Sequence, residues 1–291
     1  MSLFIKFNLI LILVFGAALV PAAWLTDDLL QANARSQVLQ NARIMMQSAL
    51  ATRQYTSQQI VPLLARQASE EFIPQTVPSY SATEVFNAVR KSNPEYTYKE
   101  ATLNPTNLRD RTSDWEADIV NGFRADAKLK EFVGVRQTAH GDSLNLARPI
   151  VIADANCLKC HSTPDAAPAT LIKTYGSDNG FGWQQNEIVG AQIVSVPMAV
   201  PVGLANKAFH ALIGMVAAVF GAMFIVLNAL LFLVVIQPVK RLSAMADRVS
   251  SGNLDAPEVV STSTDEVGVL TASFNRMRIS LVKALKLLED E

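Results

Sequence analysis

The chain opens on "LFIKFNLILILVFGAALVPAAW", Leu3 to Trp24, which is apolar apart from Lys6 and Asn8 and about as long as a bilayer crossing requires. A second apolar run, Ala208 to Val239, carries no charge and is interrupted by the polar His210 and Asn228. Both predict transmembrane helices, the first an uncleaved anchor rather than a signal peptide. Lys6 precedes the first run, and Lys240, Arg241 and Arg248 follow the second. Basic residues at both outer flanks predict cytoplasmic ends and an intervening stretch outside the membrane.

Between the two runs the pattern changes. Leu39, Ala42, Met46, Ala49 and Arg53 recur at helical spacing in a stretch without glycine, predicting a long helix that leaves the first span and is kinked or restarted at Pro62. "SATEVFNAVRKSNP" pairs Ser81 with Glu84 as a capping box, and "SDWEADIVNGFRADAKL" does the same with Ser113 and Glu116, so each predicts a helix start. "YTYKEATL" alternates as a strand, "EFVGVRQT" and "SLNLARPIVI" pair around "AHGD", and Ile188 to Met198 reads as a buried last strand. The fold class expected is α+β, an antiparallel sheet with a long N-terminal helix, set between two transmembrane helices.

After the second span, Val239, Leu242, Met245 and Val249 form one apolar seam. A Gly252-Asn253-Leu254 connector and "DEVG", Asp265 to Gly268, lead to a second seam of Leu270, Phe274, Met277, Leu281 and Leu285. Neither helix buries its stripe alone. Two chains are therefore expected to assemble a parallel four-helix bundle, which makes a homodimer.

Composition adds little except through cysteine. A formal net charge of -1 gives no reason to expect a nucleic-acid partner. The chain has no P-loop, dinucleotide fingerprint or nucleophile–base set, so no enzyme is expected. The two cysteines both fall in "ANCLKCHSTP", as Cys157 and Cys160, with His161 directly after. A redox pair needs a thiolate at a helix start in a thioredoxin-like context, and turn residues flank this segment instead. A zinc site needs four ligands, and no further cysteine exists. Covalent haem attachment needs these residues and no others: two thiols for the two vinyl groups and an adjacent imidazole for the iron.

The sixth position on such an iron stays open between Met46, Met45, His140 and no protein ligand, with Met46 preferred. Arg53, Arg136 and Arg148 are candidate partners for the propionates, and Tyr96, Tyr98, Phe181 and Trp183 candidate aromatic cover.

The runs "YKEATLNPTN", "CLKCH", "YGSDNGFGW" and "GAQIVSVPM" together resemble the single-haem, c-type, PAS-like sensor domain of bacterial membrane-bound signal transducers, over roughly residues 35–200. The tail from Gln237, with Pro238 directly after the membrane, resembles a HAMP linker. The resemblance implies a PAS-like fold, one covalent haem c, His161 as proximal ligand and a distal ligand from the N-terminal helix. Some members use a cysteine there; this chain has none to spare, and Met46 takes its place. The division expected is then 1–25 as first span, 26–207 as the extracytoplasmic haem domain, 208–237 as second span and 238–291 as cytoplasmic HAMP coiled coil. The location implied is a bacterial inner membrane with the haem domain in the periplasm. The function implied is sensing of redox state or small gases, passed through HAMP to a separate cytoplasmic output protein. A tethered monohaem cytochrome handing electrons to a redox partner, or an accessory subunit of a larger complex, is the alternative.

Overall fold

A single helix, α1, runs from Leu3 to Tyr55 with Pro21 inside it. The computed structural model describes residues 2–139, 141–253, 257–260 and 263–289. A π-helical turn, Thr56–Ile60, joins α1 to α2, Val61–Glu70. Pro62 explains the wide turn. Its ring crowds the carbonyl four residues back, at Gln58, and it has no N–H to offer there. An extra residue in the turn absorbs both effects while the chain stays helical.

The next helix, α3, spans Pro78–Ser92 and starts earlier than the Ser81–Glu84 pair suggests. Ser81 donates its hydroxyl to the Gln75 carbonyl at 3.0 Å, and Glu84 accepts from Arg109 at 2.7 Å. Pro78, with φ already set for a helix, begins it instead. β1 follows as Thr97–Thr102. The second capping box does form: Glu116 accepts from the Ser113 N–H at 2.7 Å and opens α4, Asp114–Ala125. Then come β2, Phe132–Thr138, and β3, Gly141–Val151, with His140 between them outside the described residues. A short α5, Leu158–His161, and α6, Ala169–Tyr175, precede β4, Ile188–Pro197. The chain continues as α7, Ala199–Leu230, a π-helical turn at Leu231–Ile236, α8, Gln237–Ser250, and α9, Glu266–Glu289.

Contacts divide the chain into two units, one of Asp27–Ala208 and one of Met1–Thr26 with Phe209–Glu291. The first holds a four-stranded sheet in the order β1-β4-β3-β2, with every neighbouring pair antiparallel. Period-two alternation gives the sheet two apolar faces. On one, Tyr98, Leu144, Leu146, Val194 and Val196 pack under Val38, Ala42, Met46 and Ala49 of α1 and under Ala82 and Phe86 of α3. On the other, Ala101, Ala147, Ala191 and Ile193 meet Ile119, Val120 and Phe123 of α4. Fully burying each larger aliphatic contributes roughly 1.5–3 kcal/mol, so α1 is held by its buried stripe rather than by propensity.

The α1 face of the sheet is not apolar throughout. Glu100, Gln192 and Arg148 form a transverse row across β1, β4 and β3. The row lies on the side where β3 leads into Cys157.

Two helices among the described residues, Phe4–Glu70 and Ala199–Ser250, are long and apolar enough to cross a membrane. Phe15 and Phe220 touch edge to face, with ring centroids 5.0 Å apart. Further on, Leu242 and Val249 of α8 pack against Phe274 of α9, with Met245, Ala246 and Val259 alongside. Asn275 holds the connector by accepting from the Val259 N–H at 3.3 Å and donating to its carbonyl at 2.9 Å. The α9 face turned to α8 thus includes polar Thr271 and Asn275, both buried. Leu270, Met277 and Leu281 of the expected seam remain 51%, 61% and 43% exposed within one chain. Leu254 and the side chain of Leu285 lie outside the described residues.

Candidate functional site

β3 ends with a bulge at Ile150/Val151, and the Ile152 N–H then donates to Glu187 at 2.9 Å. Asp154 accepts from the Asn156 N–H at 2.9 Å, turning the chain into a 3-10 segment, Ala155–Cys157, that runs directly into α5. Cys157 and Cys160 thereby sit three residues apart on a helical turn, on one side of it, both free and half-buried.

Burial pushes the Cys157 thiol up, Asp154 adds to this, and Arg53 opposes it. Cys160 is raised by burial and then by Cys157. A disulfide-exchange pair needs a thiol shifted the other way. Nor do the ligand types converge for zinc. Among the described residues no group of three or more His, Cys, Asp or Glu is placed to hold a metal ion.

His161 is set more firmly. Its Nδ1 lies 2.7 Å from the Gly180 carbonyl, which can only accept, so Nδ1 carries the proton. Burial holds the imidazole below the usual histidine range, although the Gly180 bond opposes this. The ring is therefore neutral at pH 7, with the Nε2 lone pair free of any such bond. Trp183 stacks on the ring, centroids 3.9 Å apart and planes 13° from parallel. Thr106 Oγ1 lies 3.4 Å from the same Nδ1. This donor set fits a c-type haem: two protonated thiols one turn apart and an imidazole whose outer nitrogen is engaged by a carbonyl, the arrangement metal-ligating histidines ordinarily have.

Of the three arginines, Arg53 is the one whose charge acts on Cys157. It also donates to Glu100 of β1, a carboxylate only 5% exposed. Tyr98 donates its hydroxyl to the same carboxylate at 2.6 Å and accepts from Gln192 at 3.1 Å. Burial and Glu100 push the Tyr98 phenol far up, so it stays a donor. Burial pulls the Arg53 guanidinium down, but Glu100, Tyr98 and Cys157 outweigh this and hold it above its ordinary value.

Arg148 lies in the same transverse row but pairs with Glu131 at 2.9 Å. Arg136 is elsewhere. It lies opposite Ser143, on the α4 face, stacked 4.3 Å over Trp115. Of the three candidate propionate partners, strand parity thus puts Arg148 on the α1 face and Arg136 on the α4 face.

Met46 is fully buried in the α1 core cluster, with Met45 partly buried beside it. Seven residues of helix separate Met46 from Arg53, about 10 Å along the axis.

Asp110, beside Arg109 at 3.8 Å, is pushed up to about 6 by burial, with Arg109 and Lys99 opposing and Glu100 adding. A raised carboxyl binds its proton longer in the folded state, so it costs stability as pH rises from 3.8 to about 6. Asp110→Asn is expected to remove that loss. Its melting temperature should exceed that of the parent at pH 7 and approach it at pH 4; equal melting temperatures at both would refute the assignment.

Two matches to known families follow. Residues 31–197 match the Tll0287-like family, and residues 230–283 match the HAMP domain. The chain belongs to the Tll0287-like family. No curated protein matches the chain. Among solved structures it is similar to the crystal structure of the cyanobacterial haem-protein Tll0287, at 17% identity and a TM-score of 0.40, over 52% of this chain and 94% of that one. Membership rests on the sequence match. A Tll0287-like domain followed by HAMP has the architecture of a sensor-transducer, and the two long apolar helices fit a membrane protein.

Sequence reasoning missed the residues that set the imidazole. "LNPTN" and "GSDNGFGW" read as markers of a family resemblance, and nothing local said that Asn104, Thr106 and Gly180 meet.

Proposed function

We propose that this protein is a membrane-bound haem sensor, with one haem c attached through Cys157 and Cys160, His161 as proximal ligand, and Met46 as distal ligand. The observation that carries the reading is the imidazole of His161, held neutral with Nε2 free, within a Tll0287-like domain that a HAMP domain follows. A haem held by these residues would supply a one-electron centre able to exchange a ligand.

The protein's own groups do the rest. Arg53 brings a positive charge to the cysteines and suits a propionate. Met46 and Arg53 share α1, so any change at either bears on the helix that also forms the first span. Residues 1–25 and 208–237 cross the bacterial inner membrane, placing 26–207 in the periplasm and 238–291 in the cytoplasm. The exposed stripe of Leu270, Met277 and Leu281 supports a HAMP homodimer, which would cover it. Output passes from HAMP to a cytoplasmic output domain or protein, and the signal is redox state or a small gas.

Absorption spectra of the matured full chain, oxidised and reduced, with and without carbon monoxide, test this. A low-spin reduced spectrum that carbon monoxide converts is expected. Met46→Ala should give a high-spin reduced iron that takes carbon monoxide at least tenfold more readily. An unchanged spectrum in Met46→Ala removes Met46 from the iron, and a colourless matured chain removes the whole reading.

A further inference from the structure

Two loops far apart in sequence are joined beside His161. The Gly180 N–H donates to Asn104 Oδ1 at 3.1 Å, and Asn104 Nδ2 donates to the Phe181 carbonyl at 3.3 Å. Arg111 adds a third tie, donating to Asn179 at 3.0 Å. Between the two Asn104 bonds lies the Gly180 carbonyl, the acceptor for the His161 Nδ1 proton. One side chain therefore brackets that carbonyl from both sides.

Backbone shape points the same way. Gly180 has φ +86°, a conformation open to glycine, and a Cβ there would collide with the Thr106 side chain and come within 2.8 Å of the Thr106 backbone. The loop after β1 and the loop before β4 are thus closed on each other with no room for a side chain. The short helix carrying His161 is held by the same loop, through Gly182 N–H to the Ser162 carbonyl at 2.8 Å and Trp183 N–H to the His161 carbonyl at 3.2 Å.

We propose that Asn104 is a positioning residue that selects the tautomer of His161. It locks Gly180 so that its carbonyl takes the Nδ1 proton, and this leaves the Nε2 lone pair as the ligating site. The role is distinct from ligation: Asn104 acts on the imidazole through the Gly180 backbone. It rests on His161 being the iron ligand proposed above. Without Asn104, Gly180 keeps its φ but loses the bonds that fix its carbonyl, and Nδ1 and Nε2 compete for the proton.

The test is read on the haem-free full chain, so that it stands apart from whether haem attaches. The protein has three histidines, which makes nitrogen-15 labelling of histidine assignable, with His161→Gln marking the signal of interest. Long-range proton–nitrogen correlation reports the tautomer. The wild type should show a single Nδ1–H form, and Asn104→Ala a mixture. Asn104→Asp keeps the acceptor for Gly180 N–H and should keep the single form.

Retention of that form in a folded Asn104→Ala overturns the proposal, and so does its loss in Asn104→Asp to the same extent as in Asn104→Ala. Should Asn104→Ala not fold, the Gly180 amide of the matured wild type decides the matter. Protection from hydrogen exchange at least tenfold above that of its exposed loop neighbours is expected, and unprotected exchange overturns the assignment. If matured chain proves colourless while the tautomer behaves as described, the haem reading fails and the positioning of His161 stands.

Discussion

Changing Cys157 and Cys160 together to alanine should take covalently held haem from one per chain to none. The wild type, matured in a host that exports and attaches haem, should keep its pigment through acid-acetone extraction and show it on a denaturing gel; the double variant should show none. The physical ground is the local geometry. Both thiols are free and sit on one helical turn, where two intervening residues bring them to one side. Burial keeps both protonated, so they are not competing as exchange nucleophiles.

Each single variant should retain one thioether and stay coloured on the gel. His161 remains in the double variant, and it can still hold haem by its iron alone; such pigment would wash out in acid-acetone. Pigment that resists extraction from the double variant would place the attachment elsewhere.

The CxxCH segment was legible in the sequence because its chemistry is local. Three residues within five positions carry it, and no tertiary contact is needed to see them. The strands and the long helix were legible for a similar reason, since alternation and the Ala42, Met46, Ala49 stripe repeat within a few residues, although Val38 rather than Leu39 takes the buried place before them. The two capping boxes separate what local pattern can and cannot decide. Ser113 and Glu116 form theirs even though Lys99 donates to the same Glu116 oxygen at 2.7 Å, because that oxygen accepts both bonds. Glu84 is taken by Arg109, twenty-five residues on, and Pro78 has already started the helix.

Arg136 and Arg148 show a second limit. Both sit on adjacent strands with similar surroundings in sequence, yet Arg148 faces α1 and Arg136 faces α4. Which face each takes depends on register, and a shift by one residue would exchange them. Asn104 and Gly180 mark the third limit, seventy-six residues apart and joined by a single side chain. On α9, the face against α8 proved to include Thr271 and Asn275 because the connector needs Asn275 as its anchor; of the expected seam Phe274 packs on α8, while Leu270, Met277 and Leu281 look outward.

Arg53→Leu should destabilise the domain by about 3 kcal/mol, the lower end of the cost of stripping one partner from a buried pair. Glu100 is only 5% exposed, and after the change its charge keeps Tyr98 as neighbour but loses its counter-ion. Arg53 itself is 28% exposed, which is why the upper end of the range does not apply. Glu100→Gln in the same background removes the stranded charge and should recover most of the loss. The double variant then unfolds closer to the wild type than Arg53→Leu does. Urea unfolding of the full chain in detergent, followed by far-ultraviolet circular dichroism, gives the four corners of that cycle.

Arg136→Leu is the internal comparison. It removes one exposed cation–π contact with Trp115 and should cost only about 0.5–1 kcal/mol. If Arg53→Leu costs no more than Arg136→Leu, or if Glu100→Gln deepens its effect, the Arg53–Glu100 pair does not tie α1 to the sheet. In that case a change near the cysteines has no charged route through Arg53 into the helix.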